Sequence, residues 1–470
     1  MSIDSAPRGR PTPWRSLSNA SWAHHQFSHA RLGDRRLVKR LQSLAVDAAR
    51  APGASIPRRA GAWAGAKAAY RFFANPKVSD AAILEAHRQV CHQRVQGQKT
   101  VLVAQDTTSL NYSERPGTQG LGPISNRAAR PLGLLAHVSL VLTPEGCPLG
   151  VADAHFWARS AAAHGRNRER NRRPLAEKES QRWLDSLSAT ARLAQAHPQT
   201  RFINIADREG DIYELFALAL QFPNVHALVR AQHDRCVEGA HGFLFATLRA
   251  QERAGFHTIQ AARRPGQKAR PVRLEIRWTQ LTVRAPLLKE GQAPLRLWAI
   301  EAREVDAPPD KAILWRLVSA CPVRNLEEAI QQVTWYARRW QVEVFFRTLK
   351  SGCKVEEKQL RQARALQALL ALEMIVACRV MELARAGRED ADRPASQALS
   401  PQECALVAAL HKPAVAPEEL TLRMAQRRIA QLGGFLGRKG DGDPGPMTLW
   451  AGLQRLRDMT LALELAQSCG

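Results

Sequence analysis

KTVLVAQD, residues 99–106, is an apolar run that ends on an acid. LGLLAHVSLVLTPEGCPLGVADAHF, residues 132–156, then sets two strand-like runs around the turn Pro144-Glu145-Gly146. A basic loop, HGRNRERNRR (164–173), leads to a helical pattern over 176–196, and RFINIAD (201–207) is a second buried strand ending on Asp207. Strand, hairpin, helix and strand in this order predict a mixed α/β sheet.

Before this block the text is helical. Phe27, Leu32, Leu37, Leu41, Leu44 and Val46 recur at helical spacing across 22–49, and further helical runs cover KAAYRFFANP (67–76) and 80–95. Residues 1–95 therefore read as a small helical domain behind a Pro/Arg-rich tail. After the block, period-two text such as VRLEIRWTQLTVRA predicts a β-rich insertion over 224–320. Helical periodicity resumes from Leu326 to Lys350 and from Gln359 to Arg385, closing a core over 96–385. A polar linker, GREDADRPASQALSP, separates a helical C-terminal unit, 400–470, whose two helical runs flank the loop 437–446.

The 470 residues suit two or three domains, and 45% hydrophobic with 24% charged residues excludes a disordered or low-complexity chain. The net charge is +25, far beyond what solubility requires, and implies a polyanionic partner, nucleic acid first. Residues 1–100 hold 17 Lys/Arg against 5 Asp/Glu, so about half of the excess sits at the N-terminal end, the expected docking surface. The eight cysteines are scattered with no zinc spacing and read as thiols in a reducing cytoplasm. The most apolar stretch, 366–380, is broken by Glu373 and Arg379, and no signal peptide opens the chain, so no membrane partner is expected.

Asp106 and Asp207 each follow an apolar strand, where open α/β sheets build their sites. One such acid alone is an ordinary turn residue. A third carboxylate comes from WYARRWQVEVFFRTLK. At about 100° per residue, Tyr336, Arg339, Glu343 and Lys350 fall in a stripe about 60° wide, opposite Val342, Phe345, Phe346 and Leu349. Three carboxylates offer hard oxygen ligands to two Mg2+ ions, the arrangement that activates an attacking oxygen and steadies a leaving one in phosphodiester chemistry. Arg339 and Lys350 add donors for phosphate oxygens.

YxxRxxxExxxxxxK, written by Tyr336, Arg339, Glu343 and Lys350, resembles the signature of the insertion-sequence-four transposases, the group that contains the transposase of transposon five. WAHHQFSHARLGDRRL (22–37), KAAYRFFANP, QDTTSLNY (105–112), EKES (177–180), ADREGDIYEL (206–215), LSPQECALV (399–407) and LGGF (432–435) match in the same order, over nearly the whole chain. The resemblance implies an RNase H-like catalytic core, interrupted by a β-rich insertion and flanked by helical N- and C-terminal domains. It also implies Asp106, Asp207 and Glu343 as DDE ligands for Mg2+, with Mn2+ as an alternative.

The implied activity is cut-and-paste DNA transposition: hydrolysis, hairpin formation, reopening, and strand transfer into target DNA. Tyr336, Arg339 and Lys350 would bind phosphates, and Trp315 would stack on a flipped base; read from the residues alone, Trp315 is equally a core tryptophan beside Ile313 and Leu317. The implied partners are double-stranded transposon ends, target DNA and a second copy in a synaptic homodimer, in a bacterial, nucleoid-associated setting. The Arg-rich run 166–173 and the N-terminal tail look like additions to that pattern. Two other readings remain, a silent DNA-binding relative and a plain metal-dependent nuclease. The intact Asp, Asp, Glu set argues against the first, and strand transfer would separate the second.

Overall fold

The computed structural model describes residues 18–125, 131–160, 177–261, 270–286, 292–308, 311–410 and 413–468. The N-terminal tail before residue 18 and the Arg-rich run 166–173 lie outside them. Five helices open the chain: α1 (Asn19–Phe27), α2 (Arg35–Arg50), α3 (Ile56–Ala60), α4 (Trp63–Ala74) and α5 (Asp80–Val95). The helical spacing across 22–49 is divided between α1 and α2. Gly33 takes a left-handed φ of 72°, and the Asp34 carboxylate accepts from the Arg36 N–H at 2.8 Å, so a stop and a new N-cap fall inside the pattern.

The centre is a mixed α/β region built on one sheet. β1 (Thr100–Asn111), β2 (Gly122–Pro123), β3 (Leu132–Leu142) and β4 (Pro148–Trp157) precede α6 (Gln181–Gln195), β5 (Arg201–Ala206), α7 (Tyr213–Ala219) and β6 (Val225–Arg230). After α8 (Leu244–Arg249) come β7 (Gly255–Ala261), β8 (Arg270–Val283), β9 (Leu295–Glu304) and β10 (Leu314–Ser319). The neighbour order is β2-β3-β1-β5-β6-β10-β9-β8-β7, with β4 paired to β3. β1, β5 and β6 run parallel, while β3 and β10 flank them antiparallel. The period-two text of 224–320 thus joins the same sheet through β6 and β10.

Alternation gives the sheet two apolar faces. Leu102, Ala104, Ile203, Ile205, Leu228 and Leu317 share one core, and Val101, Val103, Phe202, Val229 and Val318 share the other with Trp183 and Leu187 of α6. The first face is covered by α9 (Leu326–Arg338), α10 (Trp340–Arg347) and the long α11 (Ala363–Glu389), whose Val333, Phe345, Leu366 and Leu370 are buried there.

Glu373 and Arg379, the two charges inside the apolar text of α11, are also buried. Glu373 meets Arg59 at 2.5 Å and Lys358 at 3.9 Å, and Glu382 one turn beyond Arg379 pairs with Arg94 of α5. Glu373, one of the charges that interrupt the hydropathy, and Glu382 beyond it thus fasten the N-terminal helices to the core.

The chain ends in α12 (Pro401–Leu410), α13 (Leu422–Leu432) and α14 (Pro446–Ser468). α13 and α14 cross at glycines: a Cβ on Gly433 would lie 1.9 Å from the Thr448 carbonyl oxygen, and one on Gly452 would lie 1.7 Å from that of Ile429. No helix of the described residues is long and apolar enough to cross a membrane.

Candidate active site

Asp106 does not terminate its strand. β1 continues to Asn111, because antiparallel pairing with β3 persists through Asp106↔Val138 to Asn111↔Gly133 after the parallel pairing with β5 has ended at Ala104↔Ile205. Asp207 does follow the end of β5, where its carboxylate accepts from the Glu209 N–H at 2.9 Å and caps a single 3-10 turn, Arg208–Gly210. The β1/β5 ladder pairs residues 101 apart, Thr100 with Arg201 and Ala104 with Ile205, and the same offset separates Asp106 from Asp207. Continued two residues, the same register would match the two acids, and the Asp106 carboxyl does feel the charge of Asp207.

Parity extends the arrangement. Asp106 lies in phase with Leu102 and Ala104, Asp207 with Ile205, Arg230 with Leu228, and Trp315 with Leu317, all on the face that α9 and α10 cover. Four adjacent strands, β1, β5, β6 and β10, therefore each present one polar or aromatic side chain toward those helices.

The helical text 326–350 is not one continuous helix. It is interrupted at Arg339, where the Arg339 N–H bonds the Tyr336 carbonyl and the Val342 N–H bonds the Arg339 carbonyl, both at 3.0 Å and both spanning three residues. Further on, Thr348–Gly352 forms a π turn closed by the Cys353 N–H on the Thr348 carbonyl at 2.8 Å. The angular step that placed Lys350 on the stripe does not hold inside that turn. Lys350 is half-buried there, its ammonium pKa lowered by burial and drawn back up by Glu356, and it makes no ion pair with the three acids.

Tyr336, Arg339 and Glu343 do converge on the sheet acids. The Arg339 guanidinium donates to Asp106 at 3.1 Å and to Glu343 at 2.7 Å, bridging two carboxylates 237 residues apart in sequence. Burial pushes the Asp106 carboxyl up to about 6. Arg339 opposes this, while the charges of Asp207 and Glu343 push the same way. Burial likewise raises the Tyr336 phenol, against the pull of Arg339 and Arg230. Trp315 meets the Tyr336 ring edge-on, centroids 5.1 Å apart, and is half-buried, so it belongs at once to the core margin and to the site.

Among the described residues no three His, Cys, Asp or Glu side chains converge closely enough to hold one metal ion. The donor chemistry nevertheless suits a hard divalent cation: Asp106 feels the charges of Asp207 and Glu343, and Arg339 lies within the field of all three carboxylates.

Several contributors escaped the sequence reading. Arg230 ends VHALVR as Asp207 follows RFINIA, a signal of the same kind; its guanidinium donates to the Leu314 carbonyl at 3.0 Å and interacts with the Tyr336 hydroxyl. Behind Asp106, Thr107 faces the opposite core. Its N–H donates to the Asp106 carboxylate at 2.8 Å, and its hydroxyl sits 2.9 Å from both His137 Nδ1 and Arg182 Nε. His137 is buried against Trp183, and burial lowers its pKa well below the usual range. Nothing in the text LGLLAHVSLVL marks that histidine.

Three family profiles match: "Transposase DNA-binding" over residues 19–78, "Transposase DDE domain" over 161–379, and "Transposase Tn5 dimerisation domain" over 375–468. Asp207 and Glu343 lie inside the second span and Asp106 before it. Among solved structures, the piggyBac transposase synaptic complex with hairpin DNA aligns over 97% of this chain and 85% of that chain at 12% identity. Its TM-score of 0.36 carries no argument about fold or function. The three successive profiles, in the order recognition, catalysis and pairing, show that the chain belongs to the insertion-sequence-four family of DDE transposases, similar to that of Tn5.

Proposed function

We propose that this transposase cuts and joins DNA at its element's ends through Asp106, Asp207 and Glu343, by nicking, hairpin formation, reopening and strand transfer. The observation that carries the reading is the shared offset of 101 between the β1/β5 register and the two aspartates, with Arg339 tying Asp106 to Glu343. The order β4-β3-β1-β5-β6, with β1, β5 and β6 parallel, supports an RNase H-like core. In this reading residues 1–95 bind ends, 96–385 form the core with 224–320 as its insertion, and 400–470 pair two copies.

The three carboxylates would hold Mg2+, or Mn2+, which when bound supplies charge neutralisation at the scissile phosphate and a more acidic attacking oxygen. Burial raises the Asp106 carboxyl pKa, and Arg339 opposes that rise. Arg339, Arg230 and Tyr336 form a donor cluster toward which phosphate oxygens are drawn, and Arg339 is free to exchange its carboxylate partners for phosphate. Lys350, on the π turn, serves a phosphate farther along the strand. Trp315, braced by Tyr336, offers a ring face to an extruded base. The full-length protein incubated with Mg2+ and DNA carrying its own element ends is expected to give nicked, hairpin and joined products. Nicks without joined products would reduce it to a nuclease, and intact DNA would refute catalysis.

A further inference from the structure

On the α6 side of the sheet, behind the carboxylate site, the two aspartates are joined by a route that leaves Arg339 aside. Asp106 Oδ1 accepts from the Thr107 N–H at 2.8 Å, and the Thr107 hydroxyl lies 2.9 Å from Arg182 Nε. Arg182 Nη2 donates to the Glu209 carboxylate at 2.8 Å, and the Glu209 N–H donates to Asp207 Oδ1 at 2.9 Å. Thr107, Arg182 and Glu209 thus link one acid to the other by hydrogen bonds in series.

The direction of each bond follows from its donor. A guanidinium only donates, so the Thr107 hydroxyl accepts from Arg182 and gives its one proton to His137 Nδ1, 2.9 Å away. His137 then carries its own proton on Nε2 and is neutral, in keeping with the burial that lowers its pKa. Arg182 is itself held firmly. Its Nη1 donates to the Glu179 carbonyl at 2.7 Å, and its guanidinium carbon lies 5.8 Å from the Trp157 ring centre and 5.7 Å from that of Trp183. The Glu179 carboxylate in turn holds Arg159 at 2.6 and 2.7 Å. The EKES text, which the carboxylate site does not use, therefore helps to seat Arg182.

We propose that Arg182 is a positioning residue for the metal-holding acids: through Thr107 and Glu209 it fixes where Asp106 and Asp207 stand relative to each other. This rests on the proposed function above, in which those carboxylates hold Mg2+. Each acid engages Oδ1 with a backbone N–H of the chain of contacts, and Asp106 keeps Oδ2 for Arg339. Mg2+ demands near-ideal octahedral geometry, so a displaced acid is felt as lost affinity, and removing an outer partner of a ligand typically costs about 10–100-fold.

Mn2+ binding to the full-length protein on a pre-cleaved element end is followed by the paramagnetic resonance signal of the free ion. The Mg2+ dependence of nicking on uncut ends and thermal unfolding in EDTA are measured beside it. Arg182→Met should raise the metal concentration for half-saturation about 10–100-fold in both metal assays, while nicking at saturating Mg2+ stays within about threefold of wild type. Arg182→Lys, which keeps the charge but not the planar fork, should recover part of the loss. Thr107→Val and Glu209→Gln should shift both curves the same way by smaller factors. Because they act through one chain of contacts, Arg182→Met with Thr107→Val should do no worse than Arg182→Met alone.

Unchanged half-saturation in Arg182→Met, with wild-type protein cutting normally, refutes the positioning role and leaves the transposase reading standing. Slower nicking at every Mg2+ concentration with unchanged Mn2+ binding assigns Arg182 to DNA and refutes it as well. If Arg182→Met unfolds earlier in EDTA, Glu209→Gln decides, because that side chain is 64% exposed; unshifted metal curves there refute the proposal. Wild-type protein that neither binds Mn2+ nor cuts overturns both readings.

Discussion

Glu373→Gln tests how the N-terminal helices are fastened to the central α/β region. Glu373 is fully buried in α11, its carboxylate 2.5 and 3.2 Å from the Arg59 guanidinium and 3.9 Å from the Lys358 ammonium. At an effective dielectric constant of about 20 a pair of charges about 4 Å apart attracts by about 4 kcal/mol. Desolvation cancels much of this while both partners are present. Removing the anion alone leaves two buried cations facing each other, a change that typically costs about 3–5 kcal/mol.

Lys358 supplies a second, independent readout. Burial, opposed by Glu373, lowers its pKa from 10.5 to about 8. The unfolded chain therefore binds more protons between those values, so wild-type stability rises with pH from about 8 toward 10.5. The penalty, about 3 kcal/mol at 1.36 kcal/mol per unit, is fully present below 8. Glu373→Gln withdraws the group that holds this pKa up, so the rise should begin at lower pH. Urea unfolding followed by tryptophan fluorescence from pH 7 to 10 measures both effects. A loss below about 1 kcal/mol at pH 7, or a pH profile that keeps its wild-type onset, would refute the buried-charge argument.

Glu343→Gln should abolish cleavage of end DNA in Mg2+ while leaving end binding within about twofold, measured by product gels beside anisotropy; cutting at the wild-type rate would remove Glu343 from the site. Trp315→Ala should slow hairpin formation far more than first-strand nicking in a time course. A folded variant with normal hairpin yield would leave Trp315 as a core residue braced on Tyr336. Gly452→Ala should destabilise the C-terminal unit by about 1–3 kcal/mol, because its Cβ would stand 1.7 Å from the Ile429 carbonyl oxygen; an unshifted unfolding curve would show that α13 and α14 separate freely.

Much of this architecture is legible where local pattern and tertiary context agree. The helix at 80–95, the hairpin around Pro144-Glu145-Gly146 and the strand RFINIA stand where periodicity and turn residues put them. Pattern fails where a partner decides. β1 outruns its acid because β3 supplies a ladder that the text KTVLVAQD cannot announce. The 326–350 periodicity is real, yet three-residue hydrogen bonds at Arg339 and a five-residue one after Thr348 change the angular step without changing the apolar spacing. Asp106, Asp207, Glu343, Tyr336 and Arg339 were visible as residue types at telling places. His137 and Arg182 were not, since a histidine in an apolar strand and an arginine on a helix have no distinctive neighbours. Glu373 and Arg379 were visible only as blemishes in an apolar run, and their roles required knowing that Arg59 and Lys358 lie opposite the first and Glu382 beside the second.

The common register of β1 and β5 also governs how such a chain can change length over generations. Asp106 and Asp207 stand two residues beyond the last matched rung of one ladder, Ala104 with Ile205, and that ladder is fixed by its hydrogen bonds, whatever the count of residues looping away between the strands. The segment between β4 and α6, where the Arg-rich run falls, can therefore gain or lose residues without parting the acids. A one-residue slip inside β5 would instead turn Asp207 toward α6, on the far side of the sheet. Insertions are tolerable between the strands and ruinous within them.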